Sequence, residues 1–225
     1  IPVVIHEQTF DAGISNRILS LIAQKVCISW ESSRKYFPKQ KTILTGNPMR
    51  NFQFSIFNFQ FKKGKPVIYV TGGSLGSHFI NTLIENNLRK LLERFIIVHQ
   101  TGDAQEFKDF PRLSKLRENL PLALKNRYVL TKFIDPSSIG YVLRKADLVV
   151  GRSGINTITE LLFFKKPSLL IPLPFSQGKE QIKNALFLKN KGIAEVFLQN
   201  ENKDFFESIV NMFDRIEIYR KNADN

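Results

Sequence analysis

Cysteine and long apolar runs are scarce in this chain, and each shortage excludes a class of protein. The single Cys27 among 225 residues excludes a disulfide framework and is typical of a reducing compartment, so we expect a cytoplasmic protein. No apolar run approaches the roughly 20 residues of a membrane-spanning helix, and no signal-peptide pattern opens the chain. The start at Ile1, without a methionine, indicates a fragment of a longer protein.

Metal-binding patterns are also missing. Three histidines without a second ligand at helical spacing argue against a zinc site, and no Asp-X-Asp pair is present to hold a divalent ion against a diphosphate. The Gly-Lys-Ser/Thr ending of a Walker loop and the spacing of the Rossmann fingerprint are absent too. We therefore expect no metal and no cofactor, so that protein groups would neutralise any diphosphate that binds.

Basic residues are abundant, with a net charge of +13. The lysines and arginines are scattered rather than gathered in one tract, and no nucleic-acid motif is present, so nucleic acid is not the expected partner. An anionic membrane surface is the alternative, at about 1 kcal/mol for each basic residue held near it. Charge of this kind bears on association and does not decide the fold or the function.

Strand-like and helix-like segments alternate along the chain. Short apolar runs predict strands at 2–5, 26–28, 41–44, 67–70, 95–99, 127–130, 148–150, 169–171 and 194–198. Helical periodicity lies between them, at 16–25, 78–94, from 155 onward, within 177–192 and at 204–213. This alternation predicts an α/β fold built on parallel sheets. A charged breaker cluster at 62–66 indicates a linker between two domains.

The central candidate site is the stretch 151–160, where a buried strand leads into a small polar turn and then an amphipathic helix. Unpaired backbone N–H groups and the helix dipole make such a helix start an anion site, here at Ser153, Gly154, Ile155, Asn156 and Thr157. Glu160 lies too deep to cap the helix but can accept hydrogen bonds from a hydroxyl-rich ligand. Phosphate beside hydroxyls predicts a nucleotide.

A second strand, glycine-rich turn and helix occupy 67–94, and Ser74 in that turn can donate to a phosphate. Arg50 could reach a phosphate as well, although a surface arginine is usually only solvated. His6 to Thr9 form a polar cluster at a strand end, either a ligand edge or a capped turn. We interpret His99 as a satisfied strand-end residue rather than a catalyst, because no acid or nucleophile is spaced to serve it.

Many of these turns together resemble the MurG family, although each alone is a weak signal. The motifs that carry the resemblance are His6-Glu7-Gln8, Gly46-Asn47-Pro48-Met49-Arg50, Gly72-Gly73-Ser74-Leu75-Gly76, His99-Gln100-Thr101-Gly102, Phe133-Ile134-Asp135, Ala146-Asp147-Leu148, Arg152-Ser153-Gly154, Thr157, Glu160, Lys166-Pro167, Ile171-Pro172-Leu173-Pro174, Gln181 and Asn184-Ala185. The resemblance runs from Ile1 to about Leu198. It implies an inverting glycosyltransferase that moves N-acetylglucosamine from its UDP ester to a polyprenyl-pyrophosphoryl-linked muramoyl-pentapeptide in peptidoglycan synthesis.

The resemblance also implies an architecture of the glycosyltransferase-B type, with two Rossmann-like domains. Residues 1–50 would be the end of the acceptor domain, 51–65 the interdomain linker, 66–213 the UDP-sugar donor domain, and 214–225 an incomplete C-terminal helix. A peripheral position on the cytoplasmic face of the bacterial cell membrane is implied as well. By this resemblance the general base would lie in sequence preceding Ile1, and this fragment alone would be inactive.

Site roles follow residue by residue from the matching motifs. Arg50 and Ser74 would meet the diphosphate, and Ile134 would border the uracil. Ser153, Gly154, Ile155, Asn156 and Thr157 would supply the helix N-terminus. Glu160 would accept from the ribose hydroxyls, and Gln181 would bind the sugar.

The chain departs from the family pattern at Thr9, where asparagine is common, and at Lys179-Glu180-Gln181, where Asp-His-Gln or a Gln-Gln pair is usual. Sugar affinity or choice could be altered by the carboxylate of Glu180. Three alternatives stay open: another UDP-sugar lipid glycosyltransferase, the donor-binding subunit of a split enzyme, and a non-catalytic basic binding protein.

Overall fold

The fold is known from a computed structural model that describes residues 1–52 and 64–224. Most of the linker predicted at 51–65 falls outside the described residues. Every helix of the described ranges is too short or too polar to cross a bilayer. The predicted domain limits stay a prediction, but the described strands fall into two separate parallel sheets.

The first sheet contains three strands among the described residues, ordered β1-β2-β3. Its elements are β1 (Val4–Glu7), α1 (Ile14–Leu19), β2 (Lys25–Ile28) and β3 (Thr42–Leu44), with 3-10 turns at Glu31–Tyr36 and Lys39–Lys41. A small core, including Ile5, Val26 and Ile28, packs beneath it. In α1, however, no residue is buried, and Ile14 is 76% exposed.

The second sheet has six parallel strands among the described residues, ordered β6-β5-β4-β7-β8-β9. Its elements run β4 (Val67–Thr71), α2 (His78–Arg94), β5 (Ile96–Gln100), α3 (Asp109–Glu118), α4 (Leu122–Lys125), β6 (Tyr128–Thr131), α5 (Pro136–Lys145), β7 (Leu148–Gly151), α6 (Ile155–Phe163), β8 (Ser168–Leu170), a 3-10 turn at Gln177–Lys179, α7 (Glu180–Asn190), β9 (Ala194–Val196), α8 (Phe205–Asp214) and α9 (Ile216–Asp224). Numbered from β4, the order reads 3-2-1-4-5-6, which is the Rossmann order with its switch point between β4 and β7.

Helices cover both faces of this sheet because side chains alternate along each strand. In β4, Ile68 and Val70 join the core beneath α2 and α8, whereas Val67 and Tyr69 join the core beneath α5, α6 and α7. Strands buried on both faces read as continuous apolar runs, which explains the runs seen in the sequence. The predicted parallel α/β fold is confirmed.

The element bounds differ from the prediction in a few places. The helix predicted at 16–25 ends at Leu19, because the chain turns there before β2 begins at Lys25. Helices α3 and α4 were not predicted, since the polar segment that carries them lacks a clean apolar period. Helix α5 begins at Pro136, and Asp135 is its N-cap, with its carboxylate accepting from the Ser137 N–H at 2.8 Å.

Candidate functional site

Four strands of the second sheet end side by side at one edge. The register pairs Thr71 of β4 with Gln100 of β5 and with Gly151 of β7, and it pairs Gln100 with Thr131 of β6. Open α/β sheets bind ligands outside the carboxyl ends of their strands, at the switch point. The edge between β4 and β7 is therefore the expected place for a ligand.

A cleft of about 370 Å³ opens at this edge. It is lined by Arg50, Tyr69, Thr71, Gly73, Ser74, Gln100, Phe133, Ile134, Ile139, Leu143, Val149, Asn156, Thr157, Glu160 and Leu161. Most of the apolar members belong to the core beneath α5, α6 and α7. Six of the ten predicted site residues lie in this cleft: Arg50, Ser74, Ile134, Asn156, Thr157 and Glu160.

At the cleft, an ion pair connects the segment after β3 with helix α6. The Arg50 Nη2 lies 2.9 Å from the Glu160 Oε1, and only 18% of the Glu160 side chain is exposed. Burial raises the pKa of Glu160 above its usual 4.5, an effect that Arg50 opposes. Beside this pair, the Asn47 Nδ2 donates to the Thr159 Oγ1 at 2.9 Å, so the segment after β3 lies along helix α6.

Helix α6 begins where the sequence predicted. Ile155 is the first helical residue. The N-cap is Gly154, which has no side chain with which to cap the helix. The N–H groups of the first turn therefore have no side chain of the N-cap residue as partner, which suits them to an anion. Ser153 is fully buried and its hydroxyl donates to the Gln181 carbonyl at 2.7 Å, so this hydroxyl is occupied within the protein.

Gln181 does not line the cleft that holds the other polar residues. It lies in the first turn of α7, and its Oε1 accepts from the Leu173 N–H at 3.0 Å. Its neighbour Glu180 lines a second cavity, of about 270 Å³, that lies between α7 and the loop after β1. Thr9 lines the same cavity, so the two departures from the family pattern face one space.

Glu7 shapes the loop that forms this second cavity. Its carboxylate accepts from the Thr9 N–H and the Gly13 N–H, each at 2.9 Å, and from the Asn16 Nδ2 at 2.9 Å. Burial alone raises the pKa of Glu7, but these hydrogen bonds outweigh it and hold the pKa below 4.5. Of the two readings of this polar cluster, the geometry matches the capped turn.

The glycine-rich turn after β4 packs against the turn after β5. A Cβ on Gly76, whose φ is +83°, would stand 2.0 Å from the Thr101 carbonyl oxygen, and a Cβ on Gly102 would stand 2.3 Å from the Gly76 nitrogen. Only glycine allows this contact between two backbones. These two glycines therefore let two backbone turns approach each other.

Ser74 lies in that turn, ahead of helix α2. The N-cap of α2 is Ser77, whose Oγ accepts from the Ile80 N–H at 3.4 Å and from the Arg152 Nη2 at 2.6 Å. Arg152 also donates to the Ile171 carbonyl at 2.9 Å, and burial lowers its pKa to about 10. The side chains of Ser77 and Arg152 therefore already occupy the start of α2. Ser74 stays exposed at the cleft.

His99 is fully buried and both ring nitrogens have partners. The Nδ1 lies 2.9 Å from the Tyr128 hydroxyl and the Nε2 lies 2.9 Å from the Asn81 Oδ1. Because Asn81 offers an oxygen, the Nε2 donates and the Nδ1 accepts. Burial lowers the pKa of His99 to about 3, so the ring stays neutral. This geometry matches the structural role assigned to His99 from the sequence.

Three cleft residues with polar side chains were not predicted as site residues: Tyr69, Thr71 and Gln100. Tyr69 lies inside a buried strand and gave no signal. Thr71 and Gln100 are the polar residues that end two neighbouring buried strands, and that position is the signal that could have identified them. Burial raises the pKa of the Tyr69 phenol, so it stays protonated.

The cleft combines an apolar wall, an arginine, a buried carboxylate and a helix start. An apolar wall of this kind suits a flat base, a carboxylate suits hydroxyl donors, and an arginine with free helix N–H groups suits phosphate. No group of three or more metal-ligating side chains lies together within the described ranges.

Several known proteins are similar to this chain in sequence or in structure. Residues 67–225 match the family described as glycosyltransferase family 28 C-terminal domain. A protein of Clostridium tetani (strain Massachusetts / E88), named UDP-N-acetylglucosamine--N-acetylmuramyl-(pentapeptide) pyrophosphoryl-undecaprenol N-acetylglucosamine transferase, is 31% identical over 235 residues, covering 100% of this chain and 62% of that protein. A protein of Flavobacterium psychrophilum with the same name is 35% identical over 224 residues, covering 94% and 58%.

Among solved structures, the crystal structure of Acinetobacter baumannii MurG matches with a TM-score of 0.65 at 26% identity, covering 99% of this chain and 60% of that one. The resemblance to MurG stated from the motifs is confirmed, as is the glycosyltransferase-B type of fold. The chain spans less than two thirds of the length of these relatives.

Proposed function

The chain belongs to glycosyltransferase family 28 through the C-terminal domain of that family, and from this membership we propose that it binds UDP-N-acetylglucosamine for sugar transfer. The proposed reaction moves N-acetylglucosamine to a polyprenyl-pyrophosphoryl-linked muramoyl-pentapeptide, as the names of its relatives describe for those proteins. The observation that carries the proposal is the cleft at the switch point, where Arg50, Glu160 and the start of α6 converge.

In this proposal the base lies against Phe133 and Ile134 on the apolar side of the cleft. The ribose hydroxyls donate to Glu160, whose buried charge strengthens such hydrogen bonds. The diphosphate lies between the turn at Ser74 and the first turn of α6. Ribose hydroxyls that engage Glu160 would free Arg50 from its ion pair, so that Arg50 could turn toward the diphosphate.

The chemistry of transfer sets what these groups must do. The acceptor hydroxyl oxygen forms a bond to the anomeric carbon while the bond from that carbon to the β-phosphate oxygen breaks, and UDP leaves with the electron pair. Arg50 and the N–H groups of α6 stabilise the charge of the leaving UDP without a metal ion. From the resemblance, the base that takes the acceptor proton is expected in the acceptor domain of the family.

The sugar is expected beside α7, where Gln181 and the second cavity lie. Glu180 puts a carboxylate next to that position, which suits sugar hydroxyls and disfavours a phosphate. We infer that the acceptor approaches from the side of the first sheet, since the loop after β1 closes the opposite wall of this cavity.

The proposed location is peripheral, on the cytoplasmic face of the cell membrane, where a lipid-linked acceptor is found. The charge of +13 favours an anionic membrane surface, and nucleic acid is not a proposed partner. A vesicle flotation assay with and without anionic lipid measures this association. Release by added salt is the expected behaviour of an electrostatic contact.

Calorimetric titration tests the proposal. UDP-N-acetylglucosamine and UDP should bind the chain, and ADP should bind at least roughly tenfold more weakly, because a purine does not fit the same apolar wall equally well. Turnover with other UDP-sugars and with several lipid acceptors separates this activity from that of a related lipid glycosyltransferase. A melting temperature that rises with RNA and not with UDP would instead favour the non-catalytic basic binding protein.

A further inference from the structure

Gln100 connects the two walls of the cleft through a single side chain. Its Oε1 accepts from the Ile134 N–H at 3.1 Å, and its Nε2 lies 3.4 Å from both the Thr71 Oγ1 and the Gly73 carbonyl oxygen. Ile134 belongs to the loop after β6, whereas Gly73 belongs to the glycine-rich turn after β4. The amide of Gln100, at the end of β5, therefore bridges the loops that follow the strands on either side of it, β4 and β6.

The backbone of Thr101, the residue after Gln100, is held in place by Asn81 and Gly76. The Asn81 Nδ2 donates to the Thr101 carbonyl at 3.2 Å, and that carbonyl is in close contact with Gly76. The Gly76 N–H in turn donates to the Gly73 carbonyl at 3.2 Å. The Gly73 carbonyl thus accepts from its own turn and from Gln100, so a shift of Gln100 would move the turn that carries Ser74.

Gln100 has little capacity left for a ligand, because its oxygen is used by Ile134 and its nitrogen faces two protein acceptors. We propose that Gln100 is a positioning residue: it sets the spacing between the turn at Gly73 and Ser74 and the pair Phe133 and Ile134. That spacing determines how well the cleft holds a ligand that occupies both walls at once, a nucleoside diphosphate. This inference rests on the proposed function.

The substitution Gln100→Met removes both hydrogen-bonding groups and nearly keeps the volume of the side chain. The Ile134 N–H then loses its partner, and the two loops lose the connection that runs through the Gln100 amide. A ligand that touches only one loop can follow that loop, whereas a ligand that spans both must restore their spacing when it binds. The spanning ligand is therefore expected to lose the most affinity.

The test measures dissociation constants for UDP, uridine and inorganic pyrophosphate, by calorimetric titration or by displacement. In Gln100→Met we expect UDP to bind roughly tenfold more weakly, and uridine and pyrophosphate by roughly threefold or less. Gln105→Met is the matched control, because Gln105 is exposed and its amide donates only within its own loop, to Asp103. Equal weakening of UDP and uridine, or unchanged UDP binding, would overturn the proposal.

Amide hydrogen exchange gives a readout that needs no ligand. In Gln100→Met the N–H groups of Ile134 and Gly76 should both exchange faster, because both loops are released. Gln100→Glu should keep Ile134 protected, since a carboxylate still accepts its N–H, but should release Gly76. Unchanged exchange at Gly76 in Gln100→Met overturns the positioning role whatever UDP does. Absence of UDP binding by the unaltered chain, with exchange as expected, would contradict the proposed function alone.

Discussion

Substitution of Glu160 by glutamine separates binding from stability at this site. The change keeps the size of the side chain and removes its charge. In the structure the carboxylate is mostly buried and forms an ion pair with Arg50, whose own side chain is 47% exposed. The neutral amide can still accept one hydrogen bond from a ribose hydroxyl, but it loses the charge that strengthens the bond.

The expected sizes differ for the two properties. A hydrogen bond to a charged group contributes about 1.5–3 kcal/mol, against about 1 kcal/mol for a neutral one. We expect the affinity for UDP to fall by roughly tenfold, the equivalent of about 1.4 kcal/mol. A partly exposed ion pair contributes only about 0–1 kcal/mol, and loss of the buried charge offsets part of that, so the free energy of unfolding should change by less than about 1 kcal/mol.

Titration with UDP and with its 2′-deoxy and 3′-deoxy analogues identifies the contact. If Glu160 accepts from one ribose hydroxyl, the unaltered chain should bind UDP more tightly than the analogue that lacks this hydroxyl. Glu160→Gln should reduce that ratio of affinities. Glu106→Gln serves as the control, because Glu106 is exposed and does not line the cleft. An unchanged ratio between UDP and both analogues would show that Glu160 does not bind the ribose.

The pH dependence follows from the same carboxylate. Because burial raises the pKa of Glu160 above 4.5, the carboxylate becomes protonated at a higher pH than an exposed one as the solution is acidified. The ionised carboxylate is the form that accepts two hydroxyl hydrogen bonds. The affinity for UDP should therefore fall as the pH is lowered, and this fall should be centred above pH 4.5. In Glu160→Gln this component of the pH profile should disappear.

Three further outcomes are expected from residues outside the nucleotide contacts. Gly76→Ala should lower the free energy of unfolding by more than about 2 kcal/mol and weaken UDP binding, because the Cβ would overlap the Thr101 carbonyl; an unaltered urea midpoint would contradict this. His99 stays neutral down to about pH 3 in the folded chain but becomes protonated below about pH 6.5 when the chain is unfolded. The free energy of unfolding should therefore fall on acidification by up to about 1.4 kcal/mol per pH unit. Urea melts of His99→Gln at several pH values should show a smaller slope. Lys183→Met should lower the urea midpoint only slightly, and the loss should shrink in added salt, because its ion pair with Asp11 is half exposed on both sides.

Much of the second sheet was predictable because each of its strands is a local apolar run. The strands predicted at 67–70 and 148–150 match β4 and β7 within one residue, and the helix predicted at 78–94 matches α2. Polar helices such as α3 were missed, since their helical state depends on packing against β6 and α2 rather than on an apolar stripe. The order of the strands was likewise not readable from the pattern alone.

The candidate site was predictable in position more than in detail. Strand ends and helix starts are visible in sequence, so Ser74 and the first turn of α6 were found. The buried state of Ser153, the separate placement of Gln181 and the bridging role of Gln100 were not visible. Each of these depends on a partner that is distant along the chain.

The sequence by itself determined the class of fold, the glycine positions and the place where an anion could bind, because periodicity, backbone freedom and helix starts are local properties. Only the tertiary structure decided which side chains meet there. Arg50 follows the last strand of the first sheet and Glu160 lies in helix α6 of the second part, and their ion pair exists because the segment after β3 lies against α6. Such contacts depend on distances through space, which short-range sequence patterns do not record.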